Sequence, residues 1–396
     1  MIPMRLLCIT LGIGILIWLL QSPPEMVWVG FLMTASIVGA RLAHRAKLPD
    51  DLGMIAAGLA IGFAPITTAE SHQSIKPFAD IAMAWVGLYL GTSLSRPILT
   101  NQRLLTGSIY LYATPVLTTF SVLIFFDLHL VTTLQLAILS GISAPIFLDR
   151  TEHNLRDTWP FSLYVTAIGL GLLFLTGLIF GVEFILNDGF GPFLHLAADI
   201  ALAVLIGIIG IELVYRWLQH IHTPTGQFTS WLALSFLLAL ASWHVWIQPL
   251  ILAWTVGIAL SLRTKRGLRP NMRPSNAEAL IAFALAHYVS GLVLDWQMSS
   301  VPLYFYALIT ALILGKIAGG LLCRHFTSQP VQAWLPLLPQ GILAIVCFES
   351  IAPETAPLYF VCTGIALPLL RLLADQIIQK IKNGRIRALA RRTQTV

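Results

Sequence analysis

Charged residues are scarce in this sequence, and cysteine is scarcer still. Only 11% of the 396 residues are Asp, Glu, Lys or Arg, while 57% are hydrophobic. A soluble domain carries about 25% charged residues, so this composition excludes an ordinary soluble protein. Apolar windows of about 20 residues recur from end to end and leave no stretch for a soluble catalytic domain. The composition therefore predicts an all-α polytopic membrane protein.

Motifs for enzymatic or cofactor chemistry are also missing. The sequence has no phosphate-binding loop, no nucleophile motif and no His or Cys cluster with metal-ligand spacing. Four cysteines fall within or at the ends of predicted spans, where they pack as small apolar residues: Cys8, Cys323, Cys347 and Cys362. We therefore expect no enzyme activity, no cofactor, no metal ion and no disulfide framework.

Hydropathy predicts about fourteen transmembrane helices. They lie near residues 4–21, 26–43, 52–68, 78–95, 105–126, 132–149, 161–182, 193–217, 229–243, 247–262, 277–295, 301–322, 332–350 and 356–378. The first apolar run is kept as a span, because the QSPPEM that follows it offers no small-residue cleavage site.

The basic residues supply an independent test of this topology. All of the 24 Lys and Arg residues except Lys76 and Lys316 fall on one side of the predicted membrane. Cytoplasmic loops retain Lys and Arg, so we expect both termini to be cytoplasmic, in a bacterial inner membrane. The net charge of +6 then describes a basic rim beside anionic lipids of the bilayer, with no nucleic-acid partner.

Seven spans in each half predict two inverted repeats, because an odd number of spans turns the second half over. The first repeat is residues 1–188, the second is 189–379, and a basic cytoplasmic tail follows at 380–396. Span 6 carries LSGISAPIFL, and span 13, seven spans later, carries LPLLPQGILAI. Proline and glycine in mid-membrane free backbone amides and carbonyls.

Matched interruptions in two inverted halves indicate broken crossing helices that line a binding site. A pair of simple packing kinks is the alternative. The candidate lining residues are Ser140, Gly141, Ser143, Pro145, Pro339, Gln340 and Gly341.

Six segments carry a resemblance to a known family. They are RLAHRAKLPDDLGMIAAGLAIGF from Arg41, FADIAMAWVGLYLGTSLSRPIL from Phe78, SGISAP from Ser140, FALAHYVSGLVLDW from Phe283, LILGKIAGGLL from Leu312 and LLPQGILAIV from Leu337. In this order they resemble the monovalent cation:proton antiporter superfamily, which includes sodium/proton and potassium/proton exchangers. The resemblance implies an antiporter-like fold, transport of small ions (a monovalent cation, a proton or both) and a homodimer.

The resemblance fails at the ion-binding positions. In the family, the span after the first crossing helix carries one or two aspartates, and the matching positions here are Gly169 and Leu170. The second crossing helix commonly has Arg-Gly-Glu where this chain has Gln340, Gly341 and Ile342. Lys316 remains, and it matches the lysine that pairs with the aspartate in electrogenic members. The resemblance therefore implies an altered ion site.

Lys316 is the first candidate for an ion or proton site. An unpaired lysine within a span costs a few kcal/mol, so it must find a partner, be neutral or reach water by snorkelling to the inner interface. Glu212 and His287, both expected in the cytoplasmic half, are candidate partners. Interfacial placement also explains Glu212, and hydrogen-bonded packing also explains His287. Asp80, near the outer start of span 4, is predicted to cap a helix.

These observations favour a secondary transporter that exposes a mid-membrane site alternately to the two sides. Without the aspartates, bare sodium has no obvious set of ligands. An anionic substrate is one alternative, because a lysine and two half-helix N-termini favour negative charge. A non-transporting membrane subunit that kept the fold as a scaffold or sensor is the alternative from another class.

Overall fold

The computed structural model describes residues 25–46, 50–63, 69–94, 101–142, 168, 211–212, 214–221, 223–245, 248–263, 278–294 and 302–327. All regular secondary structure in these ranges is helical. This confirms the all-α class for the described part of the chain.

Nine helices have both ends described, and each overlaps one predicted span. They are α1 (Glu25–Arg45), α2 (Asp50–Gly62), α3 (Ala69–Ser93), α4 (Gln102–Leu123), α5 (Leu130–Gly141), α6 (Pro224–Val245), α7 (Pro249–Leu262), α8 (Glu278–Leu294) and α9 (Leu303–Thr327). Residues 211–212 and 214–220 are also helical and overlap the end of span 8. Spans 1, 7, 13 and 14 and the basic tail lie outside the described residues, apart from Ile168 in span 7, so the count of fourteen stays a prediction.

Helix α3 corrects the predicted role of Asp80. The helix begins at Ala69, not near residue 78, and it continues through Pro77. The polar run AESHQSIK forms its first turns, which an apolar window does not detect. Asp80 therefore lies inside the helix and is only 5% exposed, so it is a buried residue and not a cap.

The closest helix packing falls into two groups. In the first group, α7 packs along α3, α2 packs on α1 and α8, and α6 packs on α3 and α7. In the second group, α4 packs along α9 and also contacts α5. Apolar side chains of both groups join one core, which includes Leu32, Met83, Leu139, Phe283 and Leu312.

Close approach of the helices depends on small residues. Gly39 of α1 and Gly53 of α2 face each other so closely that a methyl group on either would overlap the other's backbone. Pro249 occupies the first turn of α7, where its missing N–H leaves no helical hydrogen bond unmade. The end of α7 is tied to the end of α3, because the Ser261 hydroxyl donates to the Leu94 carbonyl at 2.7 Å.

The described helices bury polar side chains and expose large apolar ones. Lys316, Asp80, His287 and Ser140 are each at most 5% exposed, whereas Leu117 and Leu237 are each 63% exposed. Two described helices, Val27–Arg45 and Leu303–Cys323, are long and apolar enough to cross a membrane, and Leu52–Gly62 and Pro249–Leu262 are shorter apolar helices.

Candidate functional site

Helix α5 ends inside predicted span 6. Its last residue is Gly141, and Ile142 leaves helical geometry with φ −65° and ψ 133°. The Ile142 N–H donates to the Leu139 carbonyl at 3.0 Å and closes the last turn. The last carbonyls of a helix have no N–H donor within the helix, so the end of α5 presents carbonyl oxygens to the neighbouring helices.

Lys316 of α9 meets this helix end. Its Nζ donates to the Ile142 carbonyl at 3.2 Å, across 174 positions of sequence. The side chain is 5% exposed, so it does not snorkel toward an interface. The structure thus places the one lysine expected in a span against the residue where α5 stops.

A positive charge on Lys316 would be favoured by the helix end that it meets. The carboxyl end of a helix carries partial negative charge from its unpaired carbonyls, equivalent to about half an elementary charge. A lysine ammonium there is stabilised even where no carboxylate is close. This contact therefore offers an electrostatic role for Lys316 that does not depend on the family aspartates.

Hydrogen bonds between helices hold the carboxyl end of α5 in place. The Ser140 hydroxyl lies 3.0 Å from the Pro115 carbonyl of α4 and 2.6 Å from the Ala137 carbonyl of its own helix. The Tyr112 hydroxyl of α4 donates to the Ile138 carbonyl at 3.2 Å. The contacts fix α5 on α4, which in turn packs along the helix that carries Lys316.

The lining residues of the predicted crossing are only partly described. Ser140 and Gly141 lie at the end of α5 beside the Lys316 contact. Ile168, which directly precedes Gly169, packs against the shared core. The remaining positions lie outside the described residues: Ser143, Pro145, Gly169, Leu170, Pro339, Gln340 and Gly341.

Glu212 is engaged away from Lys316. Its Oε1 accepts a hydrogen bond from Arg216 Nε at 2.8 Å, and its Oε2 pairs with Arg263 at the end of α7. The carboxylate side chain is 30% exposed, and the two arginine side chains are 71% and 53% exposed. Glu212 therefore joins two basic residues at an exposed rim, and this corrects its suggested pairing with Lys316.

His287 is also engaged elsewhere. Its imidazole stacks on that of His72, with ring centroids 3.9 Å apart and planes 7° from parallel. His72 lies in the first turn of α3, at the end that carries Lys76, the one basic residue predicted on the outer side. The described ring contacts of His287 are thus with α3 and with its own helix, and its placement in the cytoplasmic half and its role beside Lys316 stay predictions.

The short distance between the stacked histidine rings limits how many of them can carry a positive charge. Two unit charges about 4 Å apart repel by about 4 kcal/mol at an effective dielectric constant of about 20. His287 is 1% exposed, and its Nδ1 makes no hydrogen bond within the described part of the chain. The geometry therefore opposes simultaneous protonation of both rings.

Asp80 lies near the same helix pair. Its Oδ1 accepts a hydrogen bond from the Tyr288 hydroxyl at 3.4 Å, which links α3 to α8. Among the side chains that the structure describes, Asp80 is the one buried carboxylate.

Sequence reasoning missed Ile142 and His72. Ile142 acts through its backbone, so its side-chain type gives no signal, although the Gly and Pro around it indicate a helix end. His72 lies before the apolar window and 215 positions from His287, so no local pattern joins them. The mostly polar segment AESHQSIK before Pro77 was the one signal in the sequence that α3 could begin before the apolar window.

Comparison with known proteins supports the fold. The sodium proton antiporter MjNhaP1 from Methanocaldococcus jannaschii, in its structure at pH 8, superposes with a TM-score of 0.55 and 15% sequence identity. The match covers 88% of this chain and 95% of that chain. No protein-family model and no curated protein matches the sequence. The antiporter-like fold predicted from the six segments is therefore confirmed, and at this identity the likeness concerns the fold alone.

Proposed function

We propose that this protein is an integral membrane secondary transporter of the cation:proton antiporter type, with an altered ion site at Lys316. The contact between Lys316 Nζ and the Ile142 carbonyl carries the proposal. It places a buried amine at the carboxyl end of α5, in a chain with the fold of a sodium proton antiporter. Small ions, a monovalent cation together with a proton, are the proposed substrates, and the protein acts as a carrier and not as an enzyme.

The distribution of side chains supports a membrane location. Exposed leucines on α4, α6 and α9 would face lipid, while Lys316, Asp80 and several serine and threonine side chains are buried between helices. Serine and threonine hydroxyls largely donate to carbonyls one turn earlier in their own helices, as Ser235 does to Trp231 at 2.9 Å. That pattern satisfies polar groups without water. A bacterial inner membrane, cytoplasmic termini and a homodimer are part of the proposal.

The helix contacts support inverted repeats. The predicted repeats relate α1 to α6, α2 to α7, α3 to α8 and α4 to α9. Helix α2 packs on α1 and α8. If each helix is replaced by its repeat-related counterpart, this becomes the packing of α7 on α6 and α3, which is also observed. The α3–α8 and α4–α9 contacts map onto themselves, as contacts across a pseudo-two-fold axis do.

Lys316 supplies a simple exchange chemistry. The protonated amine donates to the Ile142 oxygen and so occupies the position where a bound cation would find a carbonyl ligand. When the amine releases its proton, a monovalent cation can take that place without charge repulsion. Binding of the proton and of the cation are then mutually exclusive, which is the requirement for exchange. Movement of the α4–α5–α9 group against the other helices would expose the site alternately.

A cation fits the described half of the site better than an anion does. The helix end that meets Lys316 is a carboxyl end, with partial negative charge. An anion would have to approach those carbonyl oxygens. The anion-coupled alternative therefore depends on the second crossing helix, which lies outside the described residues.

The non-transporting scaffold has one observation in its favour. The amine of Lys316 can act as a tethered cation that fills the carbonyl position permanently and locks α5 to α9. In that case the protein keeps the fold as a subunit or sensor, and its partner is another membrane protein. Flux measurements separate the two functions.

The test uses the purified full-length protein in liposomes with an internal pH dye. We expect an outward proton gradient to collapse on addition of Na⁺ or K⁺, faster than in protein-free liposomes, and Lys316→Ala to reduce that rate. Exchange that depends on chloride or phosphate would support the anion-coupled alternative instead. Absence of flux with every ion, together with a stoichiometric co-purifying protein, would support the scaffold.

Restoring the missing charge tests the placement of the altered site. Gly169→Asp returns a carboxylate to the position that matches the family aspartate. We expect this variant to bind or exchange a monovalent cation more strongly than the unchanged protein. Leu172→Asp, three positions further along the same predicted span, is the matched control. Equal effects of the two substitutions would contradict the placement at Gly169.

A further inference from the structure

We propose that His72 and His287 form a proton-binding site between α3 and α8, separate from the Lys316 site, and that uptake of a second proton there forces these two helices apart. The rings lie face to face with centroids 3.9 Å apart. The ligand of this site is the proton itself.

The packing around the pair shows why neutral rings fit and charged rings do not. Phe283 lies on one side of His287, with ring centroids 6.2 Å apart and planes tilted by 31°, and Tyr288 packs edge-on at 5.6 Å. The His72 ring lies over Gly291, where an added methyl group would collide with it. Stacking on both an aromatic ring and a glycine backbone leaves no room for a water layer between the rings.

The arrangement is a site for one proton, since two imidazolium rings in face-to-face contact repel each other. Nδ1 of the 1% exposed His287 has no hydrogen-bond partner in the described residues, so it is available to accept a proton. A second proton would force the rings apart. Because one ring belongs to α3 and the other to α8, that separation is a separation of the two helices.

Charged and titratable residues lie on the same two helices, and these include Glu70, two positions before His72 on α3, and Glu278 at the start of α8. Lys76, exposed and one turn beyond His72 on α3, adds positive charge, and Asp80 and Tyr288 form the hydrogen-bonded pair already described.

The neighbouring helices carry their charged residues at or near their ends. On α2, Gly58 packs on Ala286 and Val289, and Asp50 lies about 12 Å from Gly58 along that helix. On α1, Glu25 is the first residue of the helix, and Arg41, His44 and Arg45 lie at its other end. Helices α6 and α7, which pack on α3, carry no charged side chain within their described turns before Arg263.

Acidity on the side of Lys76 would therefore reach this site first. His72 lies in the first turn of α3 and contacts Gly291. His287 lies one helical turn before Gly291 on α8. At pH 7 to 8 the stack is neutral and holds α3 against α8. On acidification the pair takes up one proton, and a second proton then forces the rings apart and weakens the contact.

The first experiment measures thermal unfolding of the full-length protein in detergent at about pH 7.5 and about pH 5.5. The double variant His72→Phe/His287→Phe keeps two stacked rings and removes the titration. We expect the unfolding temperature of the unchanged protein to fall by roughly twice as much on acidification as that of the double variant. His129→Gln, at an exposed histidine before α5, is the matched control and should behave like the unchanged protein. An equal fall in the unchanged protein and the double variant would overturn the proposal.

A second measurement does not require the double variant His72→Phe/His287→Phe to be stable. Histidine-selective isotope labelling and NMR in lipid follow the ring signals across the same pH range, with His72 and His287 assigned by loss of a signal in each single Phe variant. The proposal predicts that the two rings together take up one proton before the helix contact is lost. Independent protonation of both rings, with the contact intact, would show that the stack is packing alone.

Discussion

Gly315 of α9 lies directly against Thr118 of α4, where the two longest contacting helices of their group cross. A methyl group on Gly315 would overlap the Thr118 hydroxyl and lie 2.5 Å from the Pro115 Cα. The Thr118 hydroxyl also lies 3.3 Å from the Ala311 carbonyl, one turn earlier on α9. The position of Lys316, the next residue, is therefore set by backbone contact between α4 and α9.

Gly315→Ala should destabilise the protein by about 1–3 kcal/mol, because the new methyl group meets backbone that cannot yield without shifting a helix. Thermal unfolding of the purified variant measures the effect. The matched control is Gly30→Ala on α1, where an added Cβ meets nothing within 4 Å. Alanine there should be neutral or stabilising by up to about 1 kcal/mol. Equal behaviour of the two variants would show that α4 and α9 do not touch as described.

Ser140→Ala should weaken the attachment of α5 to α4. The variant loses the hydroxyl that lies 3.0 Å from the Pro115 carbonyl, and we expect a loss of about 1 kcal/mol of stability. Ser235→Ala is the control, because that buried hydroxyl bonds the Trp231 carbonyl of its own helix. Its removal should have the smaller effect on both stability and ion flux. A larger effect at Ser235 would count against the interhelical role of Ser140.

Asp80 and Tyr288 should show energetic coupling. Asp80→Asn and Tyr288→Phe each alter the 3.4 Å contact between α3 and α8, and the double variant should be less destabilised than the sum of the two by about 0.5–1 kcal/mol. Unfolding measurements on the four proteins of this cycle give the coupling. Strictly additive effects would mean that the contact does not hold these helices together.

Glu212→Gln should leave ion flux close to that of the unchanged protein. Its carboxylate pairs with Arg216 and Arg263 at an exposed rim, away from the Lys316 contact. Proteoliposome flux measures the effect, with Lys316→Ala assayed in parallel. A loss of flux as large as that of Lys316→Ala would return Glu212 to the transport site.

The sequence predicted the helices and the Lys316 position better than it predicted the partners. Hydropathy located all nine described helices, because apolar windows and spanning helices have the same physical cause. Helix α5 ends at Gly141, within LSGISAP, and the predicted interruption of span 6 stays a prediction because the residues after Ile142 lie outside the described part of the chain. The start of α3 was wrong, because its first turns are polar and Pro77 does not end them.

The contact partners of Lys316 and His287 could not be predicted from local sequence patterns. Choosing Glu212 or His287 for Lys316 assumed that charge must meet charge, whereas a backbone carbonyl at a helix end serves the same purpose. His72 was outside the predicted span, so the histidine stack had no visible second member. Such contacts join residues hundreds of positions apart and depend on helix depth to within one turn.

The most direct test of the account compares Lys316→Gln with Lys76→Gln in proteoliposomes, using cation-driven proton flux. Glutamine keeps a donor for the Ile142 carbonyl but cannot carry an exchangeable charge, and Lys76 is an exposed lysine outside the site. We expect Lys316→Gln to fold normally and to lose most of the flux, while Lys76→Gln retains it. Undiminished flux in folded Lys316→Gln would contradict the assignment of Lys316 as the exchanging group.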